Sequence, residues 1–186
     1  MSIYDPRTLP EGLPIPIDDG ACKHLEGISL PSISLLATNG CLLNTLEISQ
    51  HKAIFYFYPR TGIPGKNPPL GWNEIPGARG CTPQTCEYRN NFEKFRTQGL
   101  QIYGISTQTT EYQKEAVQRL ELPFSLLSDE KLKLTNAIKL PTLEVNGVIL
   151  IKRLTLIVER GKIIKVFYPV FPPDKNAQEV LRFLNS

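Results

Sequence analysis

The sequence predicts an α/β fold: a central mixed sheet with helices on both faces and an N-terminal hairpin. Three features carry that prediction. Segments with strand and helix patterns alternate from residue 52 onward, which implies a largely parallel sheet covered on both sides. KAIFYFY, residues 52 to 58, is a near-continuous apolar and aromatic run, as a central strand buried on both faces requires. Residues 142 to 168 are strand-rich, and the hairpin and helix that close the chain make the sheet mixed.

Residues 1 to 20 contain Pro6, Pro10, Pro14 and Pro16 and no apolar period, so they read as an extended surface arm. In ISLPSISLLATNGCLLNTLEI, Asn39-Gly40 stands between apolar stretches and predicts a type I′ hairpin. Beyond the strand at 52 to 58, residues 59 to 80 hold five prolines and five glycines, a density no helix or strand survives. Structureless loops longer than ~15 residues are usually functional or disordered. The lone tryptophan, Trp72, implies that this loop packs against something, either as a lid over a pocket or as an anchor.

TPQTCEYRNNFEKFRTQG reads as a helix with Thr82 as N-cap and Pro83 in the first turn. Tyr88, Phe92 and Phe95 would face the core, and Gly99 would end the helix. LQIYGIS, residues 100 to 106, is another buried strand. TTEYQKEAVQRL is a second helix, with Tyr112, Ala116 and Leu120 on one side. Residues 122 to 127 form a short strand, and Ser128 would cap a third helix, DEKLKLTNAI. TLEVNGVILIKRLTLIV and IIKVFYPV are strands joined by a turn at ERGK. A last helix begins near Asp174, with Ala177, Val180, Leu181 and Leu184 along one face.

A chain of 186 residues suffices for one domain with a real core, and we expect a single domain over 1 to 186. It is 41% hydrophobic and 21% charged, as a soluble globular protein should be. The net charge of +3 comes from scattered lysines and arginines, which call for neither nucleic acid nor an acidic membrane. The N-terminus has no signal-peptide pattern, and no apolar run approaches the ~20 residues of a membrane-spanning helix. The expected location is the cytoplasm or an equivalent compartment.

In such a compartment a structural disulfide framework is not expected, and close cysteine pairs lean towards redox or metal chemistry. The four cysteines are Cys22, Cys41, Cys81 and Cys86. Their spacing holds no CxxC knuckle, and His24 and His51 lie far from the close pair, so neither a metal nor a cofactor is expected. Cys81 falls at a helix start, where partial positive charge and free N–H groups favour a thiolate, the nucleophilic form. Arg79 and Arg89 are candidates to add positive charge. Residues five apart on a helix have Cα atoms about 8 to 9 Å apart, on different faces. A disulfide needs Cα atoms within ~7 Å, so Cys81 and Cys86 can bond only if the first turn unwinds. The bland alternative is two ordinary buried cysteines, since free cysteine is among the most buried residue types.

GCTPQTCEYR is similar to the active-site segment of peroxiredoxins of the PrxQ branch, also called bacterioferritin comigratory protein. IYGIS with its TQTTEYQKE helix, LPFSLLSDEKLKL, and KRLTLIVERGKI resemble successive parts of the same family, as do ISLPSISLLATNG and KAIFYFYPR upstream. The likeness spans about residues 27 to 185. It implies a thioredoxin-like fold and a thiol peroxidase acting on hydrogen peroxide or organic hydroperoxides. On that pattern Cys81 is the peroxidatic cysteine, Cys86 the resolving cysteine, and Arg153 the arginine that stabilises the thiolate and polarises the peroxide. A thioredoxin or similar dithiol would be the reductant. The protein would be a monomer or weak homodimer.

The family's motif places a proline seven residues and a threonine three residues before the cysteine, where this chain has Glu74 and Ala78. An insertion of roughly fifteen residues within the loop 59–80, between the start of the motif and its cysteine, accounts for this and leaves Pro59 to shield the pocket and Thr61 to supply the hydroxyl. Thr82 is the competing hydroxyl. Arg89 fits either the site or a surface pair with Glu93. A thiol–disulfide oxidoreductase or a non-catalytic redox sensor on the same fold is the alternative, although exchange chemistry prefers CxxC.

Overall fold

The computed structural model describes residues 4 to 186. After the arm, β1 (Ser34–Ala37) and β2 (Leu42–Asn44) form the hairpin, and α1 (Thr45–Ile48) follows, capped by the Asn44 side chain. Then come β3 (Ala53–Phe57), the long loop, α2 (Cys81–Asn90), α3 (Phe92–Arg96) and β4 (Gln101–Ser106). The remainder is α4 (Thr110–Leu120), β5 (Leu126–Ser128), α5 (Lys133–Ala137), β6 (Thr142–Val145), β7 (Val148–Ile151), β8 (Leu154–Glu159), β9 (Lys162–Phe167) and α6 (Asn176–Leu184).

Seven strands form the main sheet, in the order β2-β1-β5-β4-β3-β8-β9. It is less parallel than the alternating pattern implies. Only β3, β4 and β5 run parallel, while β1 pairs antiparallel with β5 and β8 with β3. β6 and β7 form a separate hairpin.

The central strand explains the two cores. Every residue of β3 is buried. Ala53, Phe55 and Phe57 point to one face, which Cys22, Leu25, Leu134 and Ile138 cover. Ile54, Tyr56 and Tyr58 point to the other, under Tyr88, Phe95, Ala116, Ala177 and Val180 of the helices. Burial of each large apolar side chain contributes roughly 1.5–3 kcal/mol. Tyr56 stacks on Tyr88 with ring centroids 4.5 Å apart, so α2 is fixed to the strand from which the loop departs.

Several local expectations change. The Asn39-Gly40 turn makes the hairpin, but it is not type I′, because only Gly40 has a positive φ (88°). The Gly40 N–H donates to the Ala37 carbonyl, giving a three-residue loop with glycine at the bulge. A second Asn-Gly pair, Asn146-Gly147, has φ of 52° and 77°, as a type I′ turn requires, and joins β6 to β7. Ser128 lies in β5, and Asp129 instead accepts from the N–H groups of Leu134 and Thr135 to hold the start of α5. The last helix begins at Asn176 after a short 3₁₀ turn, Pro173–Lys175. The helix expected from Thr82 starts one residue earlier at Cys81, with Gly80 at the cap, and breaks at Asn91.

Gly80 is required there. Its φ is +106°, and a Cβ would fall 2.2 Å from Pro173 Cγ. The chain thus packs its later segment directly against the helix start. Trp72 is an anchor: it is buried with Ala78, Val145 and Leu150, pinning the loop to the β6–β7 hairpin.

Candidate active site

Cys81 is the first residue of α2 and almost fully buried, at 2% exposure. Three groups meet its sulfur. The backbone N–H of Arg60, just beyond β3, donates to Sγ at 3.4 Å, and Nη2 of Arg153 donates at 3.2 Å. The thiol itself reaches the Ala78 carbonyl at 3.5 Å. A sulfur at a helix N-terminus with a guanidinium and an amide aimed at it is set up to carry negative charge. β3 delivers Arg60, the loop delivers Ala78, and the short connection between β7 and β8 delivers Arg153.

Arg153 is buried at 3% exposure and tightly directed. Nη2 also donates to the carbonyls of Gly77, Ala78 and Arg79, so the end of the loop wraps the guanidinium. Nη1 donates to Oε1 of Gln84, one turn along α2. Gln84 Nε2 donates in turn to Asn176 Oδ1 at 3.0 Å, an oxygen that also accepts from Tyr88 and Thr155. The network links the arginine, one face of α2 through Gln84 and Tyr88, and the start of α6. Glu87 adds a second link, accepting from the Ala177 N–H at 3.0 Å at the N-terminus of α6. Burial pushes the Glu87 carboxyl up, with the helix N–H groups opposing.

The other residues singled out fall variously. Pro59 is buried at the exit of β3, beside Arg60. Thr61 is fully buried, but its hydroxyl donates to Gln108 Oε1 at 3.1 Å and makes no hydrogen bond to Cys81. The missing hydroxyl is therefore not restored from that position in this conformation. Thr82 Oγ1 is buried and has no hydrogen-bond partner among the described residues. Arg89 departs from the substrate role: it donates to the Leu120 carbonyl at 2.8 Å, at the end of α4, and to Asn90, and it does not pair with Glu93.

Cys86 lies in the same unbroken helix, half-buried, and all four thiols are free. Burial raises the Cys86 thiol, partly countered by Arg89, Arg119 and Arg7. Cys22 sits in the core and is pushed up to about 12, chiefly by burial and then by Asp19 and Asp18, which disfavours its thiolate. Cys41 is exposed in the first hairpin.

Two cavities are lined in part by residues of the site. One of about 160 Å³ is lined by Tyr4, Arg60, Thr61, Lys66, Trp72 and Tyr112. Another of about 210 Å³ is lined by Arg153 with Pro16, Ile75, Gly77, Leu143 and Tyr168. Sequence reasoning missed Gln84, Asn176 and the Arg60 amide. Gln84 had a signal, since it stands three residues after Cys81 on a helix, hence on the same side. The other two are brought in from distant segments.

Among the described residues no helix is long and apolar enough to cross a membrane. The redoxin family pattern matches residues 25–181. A chloroplastic peroxiredoxin Q of Suaeda salsa is 30% identical over 165 residues, covering 88% of this chain and 69% of the relative. The fold is similar to that of the peroxidoxin BcpB of Mycobacterium tuberculosis, with a TM-score of 0.70 and 20% identity over 87% of this chain and 97% of the other. It is also similar to the bacterioferritin comigratory protein of Xanthomonas campestris, studied for alkyl peroxide reduction, with a TM-score of 0.68 and 20% identity over 85% and 96% of the two chains.

Proposed function

The chain belongs to the redoxin family, as a peroxiredoxin of the PrxQ type, and on that premise we propose that Cys81 is the peroxidatic residue, Cys86 the resolving residue and Arg153 the activating arginine. Peroxiredoxins of this type are thiol-dependent peroxidases. The observation that carries the assignment of residues is the convergence of Arg153 Nη2 and the Arg60 N–H on the sulfur of Cys81.

The steps balance as follows. The Cys81 thiolate attacks the distal oxygen of the hydroperoxide. The S–O bond forms, the O–O bond breaks, and the alcohol or water leaves with a proton. The guanidinium stabilises the thiolate and then the charge developing on the peroxide oxygens. Cys86 next attacks the sulfenic sulfur, the S–O bond breaks, water leaves and the disulfide forms. A thioredoxin-type dithiol then restores both thiols by exchange.

In the structure the pair shares one intact helix, so the second step needs the first turns of α2 to open. Both thiols belong to one chain, so the cycle runs in a monomer as well as in a weak dimer. Alkyl hydroperoxides join hydrogen peroxide as proposed substrates. Thr82, whose buried hydroxyl has no hydrogen-bond partner among the described residues, is the proposed stand-in for the threonine that Ala78 replaces. Pro59 shields the thiolate from water. The proposed compartment is a reducing one, the cytoplasm or an equivalent. The test is turnover with thioredoxin and hydrogen peroxide: Cys81→Ser abolishes it, and a Cys81→Ser protein that still consumes peroxide refutes the assignment.

A further inference from the structure

We propose that Arg79 is a positioning residue for the resolving step: it latches the N-terminal arm across the start of α2 and so sets how fast Cys81 can leave the helix to meet Cys86. This rests on the roles proposed for the two cysteines. Arg79 precedes Cys81 by two residues and is buried at 6% exposure. No carboxylate pairs with it among the described residues. Its Nη2 instead donates to the backbone carbonyls of Asp5 at 3.0 Å and Thr8 at 2.8 Å, both on the arm. The guanidinium lies 4.6 Å from the centre of the Tyr4 ring.

The arm is fastened at further points. The Gly65 N–H donates to the Tyr4 carbonyl at 2.9 Å, tying the arm to the inserted loop. Leu9 packs against Gly80, the residue immediately before Cys81. Arg79 therefore joins three things that must part when the first turn unwinds: the arm, the loop and the helix. Its own carbonyl also accepts from Arg153 Nη2 at 3.2 Å. The latch is releasable, because Nε and Nη1 find no acceptor among the described residues and gain water once it opens.

The consequence is a competition. The Cys81 sulfenic acid has two fates. Cys86 can displace water from it, giving the disulfide. A second hydroperoxide can instead oxidise it, with a new S–O bond formed, the O–O bond broken and an alcohol or water released, giving the sulfinic acid. A strap that delays opening favours the second fate at high peroxide.

The test uses full-length protein with Arg79→Gln, Tyr4→Ala, both together, or Arg79→Lys. Reduced protein is mixed with one equivalent of hydrogen peroxide, and disulfide formation is followed by rapid alkylation and mass spectrometry. The expected result is resolution about tenfold faster in Arg79→Gln and Tyr4→Ala. The double variant is no faster than the singles, because both cut the same strap. Arg79→Lys, whose ammonium can still donate to the two carbonyls, returns towards the wild-type rate. At excess peroxide the sulfinic product falls by a similar factor. Should Arg79→Gln fail to fold, Tyr4→Ala carries the same test. Disulfide formed at the wild-type rate in the variants overturns the latch alone. A wild-type protein that forms no Cys81–Cys86 disulfide overturns the functional assignment and the latch with it.

Discussion

Nη2 of Arg153 stands 3.2 Å from the sulfur of Cys81, and Nη1 of the same guanidinium is held by Gln84 one helical turn away. The arginine thus reads the state of α2 at two points. When the first turn opens, both contacts go together. Arg153→Lys keeps the charge but loses the fork. The expected effect is about a 100-fold slower oxidation of Cys81, measured by stopped-flow with hydrogen peroxide, with the folded state retained in circular dichroism.

Gln84 and Asn176 hold that arginine from behind. Asn176→Ala leaves Tyr88, Thr155 and Gln84 without their shared acceptor. The cost is about 1–3 kcal/mol of stability, read from denaturant unfolding. Thr155→Ala, which removes one donor and leaves the acceptor paired, costs less.

The two threonines separate cleanly. Thr82→Val removes a hydroxyl with no partner among the described residues, so stability is unchanged or higher while peroxide reduction slows. Thr61→Val breaks a bond to Gln108 and lowers stability by about 1 kcal/mol. Its direct effect on Cys81 is small. Equal kinetic effects of the two substitutions would count against Thr82 as the replacement hydroxyl.

Much of this was legible in the sequence, and the limits have physical reasons. The apolar and aromatic run of β3 announced its own central burial, and the CTPQTC segment announced a thiol at a helix start, one residue from where the helix begins. The contribution of Arg153 rested on resemblance, because an arginine in a strand points to solvent more often than to a site. The direction of β1 and β8 was not legible, since strand polarity follows from where connections lead rather than from local pattern. Thr61 illustrates the same limit: its position suited the role, yet Gln108, 47 residues away, claims its hydroxyl. Arg89 sat two residues from Glu87 and one turn from Cys86, but the end of α4 offered its guanidinium the Leu120 carbonyl.

Glu87 gives a pH signature. Burial raises its folded-state pKa above the ordinary carboxylate value. The associated stability is complete below the unfolded pKa and is lost as pH rises through the raised folded value. Glu87→Gln removes this dependence. Relative to the wild type, the variant therefore gains stability as the pH climbs from about 4 towards neutrality, in urea midpoints measured across that range. A difference that does not change with pH would contradict the upward shift that burial imposes on the carboxyl.

The central claim is that one peroxide is reduced by two thiols of one helix. The direct measurement adds a single equivalent of hydrogen peroxide to the reduced protein, counts the remaining thiols, and maps the disulfide by peptide mass spectrometry. The account predicts the loss of two of the four thiols and a single cross-link, Cys81 to Cys86, with α2 locally unwound. A cross-link through Cys22 or Cys41, or between two chains, would contradict it.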